Sequence, residues 1–115
     1  ASPYAFALLD RDPNVAGLDT LYLADDKGVG IQKWRLNGAT WALAATFSAG
    51  FTTGTRGLVA VPGGASVTLI ASSAEALPAP NTLMIVVDDG SPNPTARPLV
   101  TAPMNTQLRG VALAP

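Results

Sequence analysis

Glycine and proline interrupt this sequence at short intervals, and no other feature limits the fold as strongly. The chain has 11 glycines and 10 prolines in 115 residues. The runs between them are short and rich in Val, Leu, Thr and aromatic residues, a pattern typical of strands joined by turns. These runs cover residues 4–10, 19–26, 30–36, 40–47, 56–61, 66–73, 82–89, 97–102 and 108–114. We therefore predict an all-β fold with almost no helix.

The runs also recur in a fixed order. TRGLVAV at 55–61 returns as LRGVALA at 108–114, and the other runs fall into two successive sets of the same pattern. Repetition of a four-stranded antiparallel unit of about 50 residues is typical of β-propeller blades. The sequence thus predicts one domain over 1–115, with blade one at about 4–47, blade two at about 55–102 and an extra inner strand at about 107–114.

Several segments resemble the blades of bacterial extracellular β-propeller proteins: LDTLYLADD, GIQKW, the NG turn with the following W, TRGLVAV and LRGVALAP. The resemblance covers essentially the whole chain, and its motifs mark blade edges and turns. It implies a bacterial protein that is secreted or lies at the cell surface, and it carries over no catalytic residue. A closed propeller has about four to eight blades. We therefore expect these two blades to be completed by oligomerisation or by a longer parent chain.

Composition narrows the classes of partner. Hydrophobic residues make up 48% of the chain and charged residues only 13%, so we expect part of the surface to be covered by neighbours in a homo-oligomer. The net charge of -1, without a basic stripe, argues against nucleic acid. The absence of Cys and His excludes thiolate and imidazole chemistry. No apolar run reaches the length of about 20 residues that a membrane span needs.

The dipeptide Asn-Gly at 37–38 predicts a two-residue type I′ hairpin turn between two alternating runs. With this turn, Trp34 and Trp41 become near cross-strand neighbours. One interpretation is a sugar-binding platform, because the face of a tryptophan stacks on a sugar ring. We favour the other, ordinary packing, because Trp34 alternates with Lys33 and Arg35 and is expected to face the interior between blades.

Two further sets of residues are candidate sites. Asp10, Asp12 and Asn14 alternate as the oxygen ligands of a calcium loop do, but Asp and Asn also stabilise turns, and we favour that role over calcium. No other cofactor is expected. Arg56 and Arg109 each precede a glycine at the start of an innermost strand. They would form either an anion-binding ring at the channel mouth or, as we favour, bonds between blades.

Motifs for catalysis are missing from the sequence. It has neither a Gly-x-Ser-x-Gly elbow nor a phosphate-binding loop, so we predict that the chain is not an enzyme. The leading hypothesis is a non-catalytic extracellular interaction module that binds protein or glycan. The alternative is a self-assembling structural subunit, in a ring, stack or filament, of a bacterial cell-surface or extracellular structure. The extra strand at 108–114 favours self-assembly, because an unpaired strand offers an edge for pairing.

Overall fold

A computed structural model describes residues 2–115 of the chain. Within these residues the regular structure consists of eight strands and no helix, so the all-β prediction is confirmed. The strands are β1 (Pro3–Leu9), β2 (Thr20–Asp25), β3 (Ile31–Asn37), β4 (Thr40–Phe47), β5 (Thr55–Gly63), β6 (Ser66–Ser73), β7 (Thr82–Asp88) and β8 (Arg97–Thr101). Each lies on one of the apolar runs between the glycines and prolines, where period-two alternation favours a strand.

The strands of the described residues form two four-stranded antiparallel sheets, each a simple meander. The first sheet has the order β1-β2-β3-β4 and the second the order β5-β6-β7-β8. Consecutive strands pair because the connections between them are short, which suits antiparallel neighbours. The structure therefore contains two successive units of the same topology.

The two sheets also share irregularities in their pairing. In the first sheet Pro3 pairs with Asp25, and the register shifts before Ala5 pairs with Ala24. In the second sheet Thr55 pairs with Ser73, and the register again shifts before the next pair. Each sheet has a second shift between its third and fourth strands. Such bulges re-aim the side chains of a strand, and their recurrence shows that the two sheets are structural repeats.

The turn between β3 and β4 lies one residue later than predicted. Asn37 pairs with Thr40, so the turn residues are Gly38 and Ala39. Gly38 has a φ of 62°, and within residues 2–115 the one non-glycine residue with positive φ is Asn105. Positive φ at the first turn residue alone is the pattern of a type II′ turn, not of the predicted type I′. Glycine at that single position is sufficient for the hairpin.

This shift changes the partners of the two tryptophans. Trp41 pairs with Leu36, and Trp34 pairs with Leu43. The tryptophans are therefore near cross-strand neighbours as predicted, but on a diagonal and not directly opposite each other, because the turn lies one residue later. Both side chains lie on the same face of the first sheet. Trp34 and Leu36 are two residues apart on β3, and Leu36 is paired with Trp41.

The hydrophobic core lies between the two sheets. The first sheet contributes Tyr22, Ala24, Ile31 and Phe47, and the second contributes Leu58, Val67, Leu69, Ala71, Met84 and Val86. We call the faces that carry these residues the inner faces. Because side chains alternate along a strand, the intervening residues form an outer face on each sheet, directed away from the other sheet.

The C-terminal residues 108–114 form no strand in the described part of the chain. The N–H of Leu108 donates to the side-chain oxygen of Asn81, and the Asn81 amide donates to the Leu108 carbonyl at 2.7 Å. The segment continues over Gly57 and Ser72, on a sheet face and not along a sheet edge. A strand needs the backbone of a partner strand, and this position does not provide one, so the predicted inner strand is not observed.

Candidate functional site

The outer face of the first sheet is a broad apolar surface. Its residues are Phe6, Leu8, Leu21, Leu23, Trp34, Leu36, Trp41 and Leu43. Phe6 is 65% exposed and Leu43 52% exposed. The central strand β2 carries apolar side chains on both faces, which is typical of a strand that is covered on both sides. The outer side chains of β2 thus give this face its apolar character.

A shallow groove runs across this face. It is open, has a volume of about 300 Å³, and is lined by Phe6, Leu8, Leu21, Leu23 and Trp41. The lining is almost entirely carbon, without a carboxylate or amide side chain. Binding sites for polar ligands orient them with a few placed polar groups. The groove is thus better suited to apolar side chains of a protein than to a sugar.

Trp34 lies on this outer face, half-buried, and not in the predicted interior between the sheets. Its indole N–H donates to the side-chain oxygen of Gln32 at 2.9 Å, and Gln32 in turn donates to Asp25 at 3.1 Å. The prediction was wrong because it assumed that Lys33 faces solvent. Lys33 is the residue directed between the sheets, since it has a buried partner there.

That partner is Asp88, in a buried polar cluster between the two sheets. Lys33 forms an ion pair with Asp88, and the Tyr22 hydroxyl donates to the same carboxylate oxygen at 2.6 Å. The Lys33 ammonium lies 5.9 Å from the centre of the Tyr22 ring. All three residues are buried. The cluster joins β2 and β3 of the first sheet to β7 of the second.

The electrostatics of this cluster fix its protonation. Burial acts to raise the pKa of Asp88, but the hydrogen bonds from Lys33 and Tyr22 outweigh it and hold that pKa below its ordinary value. Burial and the adjacent Asp88 carboxylate raise the pKa of Tyr22 far above its usual range. Asp88 is therefore ionised and Tyr22 is a neutral donor, an arrangement that stabilises the sheet contact.

A polar cavity of about 130 Å³ opens beside this cluster. Arg11 and Arg35 lie at its rim together with Asp89. The Arg11 guanidinium donates to the carbonyl oxygens of Gly64 and Ser66, at 2.5 and 3.3 Å. It thereby connects the β1–β2 loop to the β5–β6 turn. Arg11 therefore makes contacts between the sheets.

The two arginines singled out in the sequence have different surroundings. Arg56 donates to the Asp26 carboxylate at 3.0 Å, and its guanidinium lies 5.6 Å from the centre of the Tyr4 ring. The Arg109 side chain is exposed, and its backbone carbonyl accepts a hydrogen bond from Ser72. Arg56 therefore makes contacts between the two sheets.

The loop with the candidate calcium ligands is organised by hydrogen bonds. Asp12 accepts from the backbone N–H of Asn14 at 2.9 Å and from its side-chain amide at 3.0 Å, while Asp10 is exposed. The carboxylate of Asp19, a residue not among the candidates, accepts from the N–H groups of Arg11 and Asp12 at 2.8 Å each. Across residues 2–115, no three His, Cys, Asp or Glu residues gather as metal ligands.

No protein-family model, curated protein or solved structure matches this chain. In the part of the chain that the structure describes, no helix is long and apolar enough to cross a membrane. The main features of the described residues are the repeated sheets, the buried polar cluster between them and the apolar outer faces.

Proposed function

We propose that this chain is a non-catalytic binding module, built from two propeller-type blades, that binds other polypeptides through the outer faces of its sheets. The observation that carries the proposal is the apolar groove on the outer face of the first sheet. An extended apolar surface of this kind on a small protein marks a site of interaction. The resemblance to secreted blade proteins supports an extracellular or cell-surface location in a bacterium.

The relation between the sheets supports the blade assignment. The start of β1 lies beside the start of β5, where Arg56 contacts the ring of Tyr4. The ends of the same two strands are joined where Arg11 bonds the carbonyl of Gly64. The first strands of the two units therefore run side by side in the same direction, as the innermost strands of neighbouring propeller blades do.

The chemistry of the groove supports a polypeptide as the ligand in preference to a glycan. Trp41 forms one wall of the groove, but the remaining lining is Phe and Leu. A sugar that stacked on Trp41 would find no hydrogen-bonding side chains within the groove to orient it. A second sheet surface, by contrast, presents aliphatic side chains that fill such a groove.

Site-specific photo-crosslinking tests this proposal in cells that produce the protein. The photoreactive residue replaces Trp41 on the first outer face, Val87 on the second, or Leu77, which is 56% exposed but outside both sheets, as the control. We expect crosslinks to polypeptide from positions 41 and 87 and not from position 77. Equal crosslinking at the three positions, or none at 41 and 87, would overturn the proposal.

A second candidate function is a self-assembling structural subunit of a cell-surface or extracellular structure. The observation that favours it is that one chain carries two separate apolar outer faces, one on each sheet. The second outer face consists of Val59, Val61, Thr68, Ile70, Leu83, Ile85 and Val87. A chain with two such faces binds two neighbours at once, which is the requirement for a ring or a filament.

A further inference from the structure

We infer that the polypeptide bound by the outer faces is a second copy of this chain, with the outer face of the second sheet of one copy packed on the outer face of the first sheet of the next. This inference rests on the proposed function and specifies its partner. It follows from the alignment of the two sheets and from the faces that meet inside one chain.

The register shift that both sheets have between their first and second strands aligns these strands residue by residue. The pair Pro3–Asp25 corresponds to the pair Thr55–Ser73, since each precedes the shift in its own sheet. Along the second strand of each unit, Leu21 and Leu23 then correspond to Leu69 and Ala71. Leu69 and Ala71 are buried on the inner face of the second sheet. The outer face of the first sheet is therefore the equivalent of the inner face of the second.

The opposite pair of faces is related in the same way. Ala24 pairs with Ile31 in the first sheet, and the equivalent Ser72 pairs with Leu83 in the second. Ile31 is fully buried on the inner face, whereas Leu83 belongs to the outer face. The contact inside the chain thus joins two non-equivalent faces, and the equivalents of both are outer faces that the other sheet of the chain does not cover. A head-to-tail contact with another copy repeats the contact that already exists within the chain.

The proposed contact between copies has apolar side chains where the contact within the chain has its polar cluster. Within the chain this cluster consists of Tyr22, Lys33 and Asp88. The equivalent positions are Ile70 and Ile85 on the second outer face and Leu36 on the first outer face. A contact between copies therefore brings apolar side chains together at the place where the chain itself buries an ion pair. Burial there leaves no unpaired charge, which would be costly.

The C-terminal segment occupies part of the second outer face. Arg109 and Val111 lie over Gly57, where repetition of the chain's own contact would place β1 of the next copy. The segment forms no strand and is held by hydrogen bonds to Asn81 and Ser72, whereas β1 is paired with β2 along its length. The segment lacks the backbone pairing of a strand, and the proposed contact requires it to move aside when the next copy binds.

The test is the molar mass of charged-face variants by light scattering. Phe6→Glu disables the first outer face and Val87→Glu the second; both positions are exposed in the single chain, at 65% and 41%. The unmodified chain is expected to assemble, with about two to four copies giving the four to eight blades of a closed ring. Each variant alone should have the 11.7 kDa mass of one chain, because every head-to-tail contact needs both faces.

Mixing the two variants decides the geometry of the contact. Each retains the face that the other lacks, so an equimolar mixture should form a complex of about twice the 11.7 kDa chain mass. A mixture that stays at the mass of one chain, or a single variant that still assembles, would overturn the head-to-tail contact. Leu77→Glu is the control and should assemble normally. Leu43→Glu and Thr68→Glu repeat the test if circular dichroism shows that either first variant is unfolded.

Removal of residues 109–115 tests the role assigned to the C-terminal segment. The truncated chain should assemble at least as strongly as the full chain, because a competitor for the second outer face is gone. If only the full chain assembles, the segment itself is the connector and the face-to-face contact is overturned. If the unmodified chain has the mass of one chain and position 41 crosslinks to a different polypeptide, the proposed function stands and this inference fails.

Discussion

The first and second sheets have the same strand order and the same early register shift, but they carry different side chains at equivalent positions. The inner face of the first sheet holds Tyr22 and Lys33, whereas the equivalent outer face of the second sheet holds Ile70 and Ile85. The two sheets thus share a backbone pattern and differ in the polarity of the side chains on equivalent faces. The buried polar cluster marks the contact that one chain makes with itself.

The largest loss of stability is expected from removal of Asp88, which lies in the polar cluster between the two sheets. Asp88→Ala leaves the buried Lys33 ammonium and the Tyr22 hydroxyl without their acceptor. Removal of one partner of a buried ion pair costs about 3–5 kcal/mol. Urea unfolding should show a loss in this range, while Asp89→Ala, at the exposed neighbouring position, should leave the free energy of unfolding nearly unchanged. A small effect at Asp88 would show that the cluster does not hold the sheets together.

A smaller loss is expected from Tyr22→Phe, which removes one hydrogen bond to an ionised acceptor and keeps the ring. Such bonds contribute about 1.5–3 kcal/mol. Tyr4→Phe is the matched control, because Tyr4 is 61% exposed. Thermal or urea unfolding of the two variants gives the comparison. Equal stabilities for the two would contradict a structural role for the Tyr22 hydroxyl.

The cluster should also make stability depend on pH in the acid range. The pKa of Asp88 in the folded chain lies below its ordinary value of 3.8. The ionised carboxylate therefore contributes its full share to the free energy of unfolding at pH values above this ordinary pKa. The contribution is lost as the pH falls through the lower pKa of the folded state. Unfolding free energies measured from neutral pH downwards should fall less steeply for Asp88→Asn than for the unmodified chain. Parallel pH profiles would refute this assignment.

The smallest expected change in stability distinguishes Arg56 from Arg109, which occupy equivalent positions in the sequence repeat. Arg56→Gln removes a partly exposed ion pair with Asp26, and such pairs contribute about 0.2–1 kcal/mol. Arg109→Gln should have no measurable effect on the stability of the single chain, since its side chain is exposed. The difference in urea midpoint between the two variants measures how far the contacts of Arg56 are repeated at Arg109. A larger loss at Arg109 would reverse the comparison.

The sequence predicts local structure well where local patterns determine it. Alternation and the spacing of Gly and Pro placed all eight strands of the described residues 2–115. The turn at Gly38 was misplaced by one residue, because a single glycine with positive φ is enough for a type II′ turn. The tryptophans remain near cross-strand neighbours, but on a diagonal, since the partner of each residue on β4 depends on where the turn begins.

Features that depend on distant residues were not predicted. The direction of Lys33 is set by Asp88, which no local pattern connects to it. The segment 108–114 has the sequence pattern of β5, but strand formation requires a neighbouring strand edge that its position lacks. Asp19 was passed over in favour of Asp10 and Asp12, because the backbone donors that it accepts from are visible only in the folded loop.

The central claim is that the contact between copies repeats the contact between the two sheets, and a rebuilt ion pair tests it most directly. Ile85→Lys and Leu36→Asp place the charges of Lys33 and Asp88 at the equivalent positions of the two outer faces. Each single variant should lose assembly by light scattering, because its new charge is buried without a partner. The double variant in one chain should regain the mass of the assembled protein. A double variant that remains at the mass of one chain, like the two single variants, would contradict the claim.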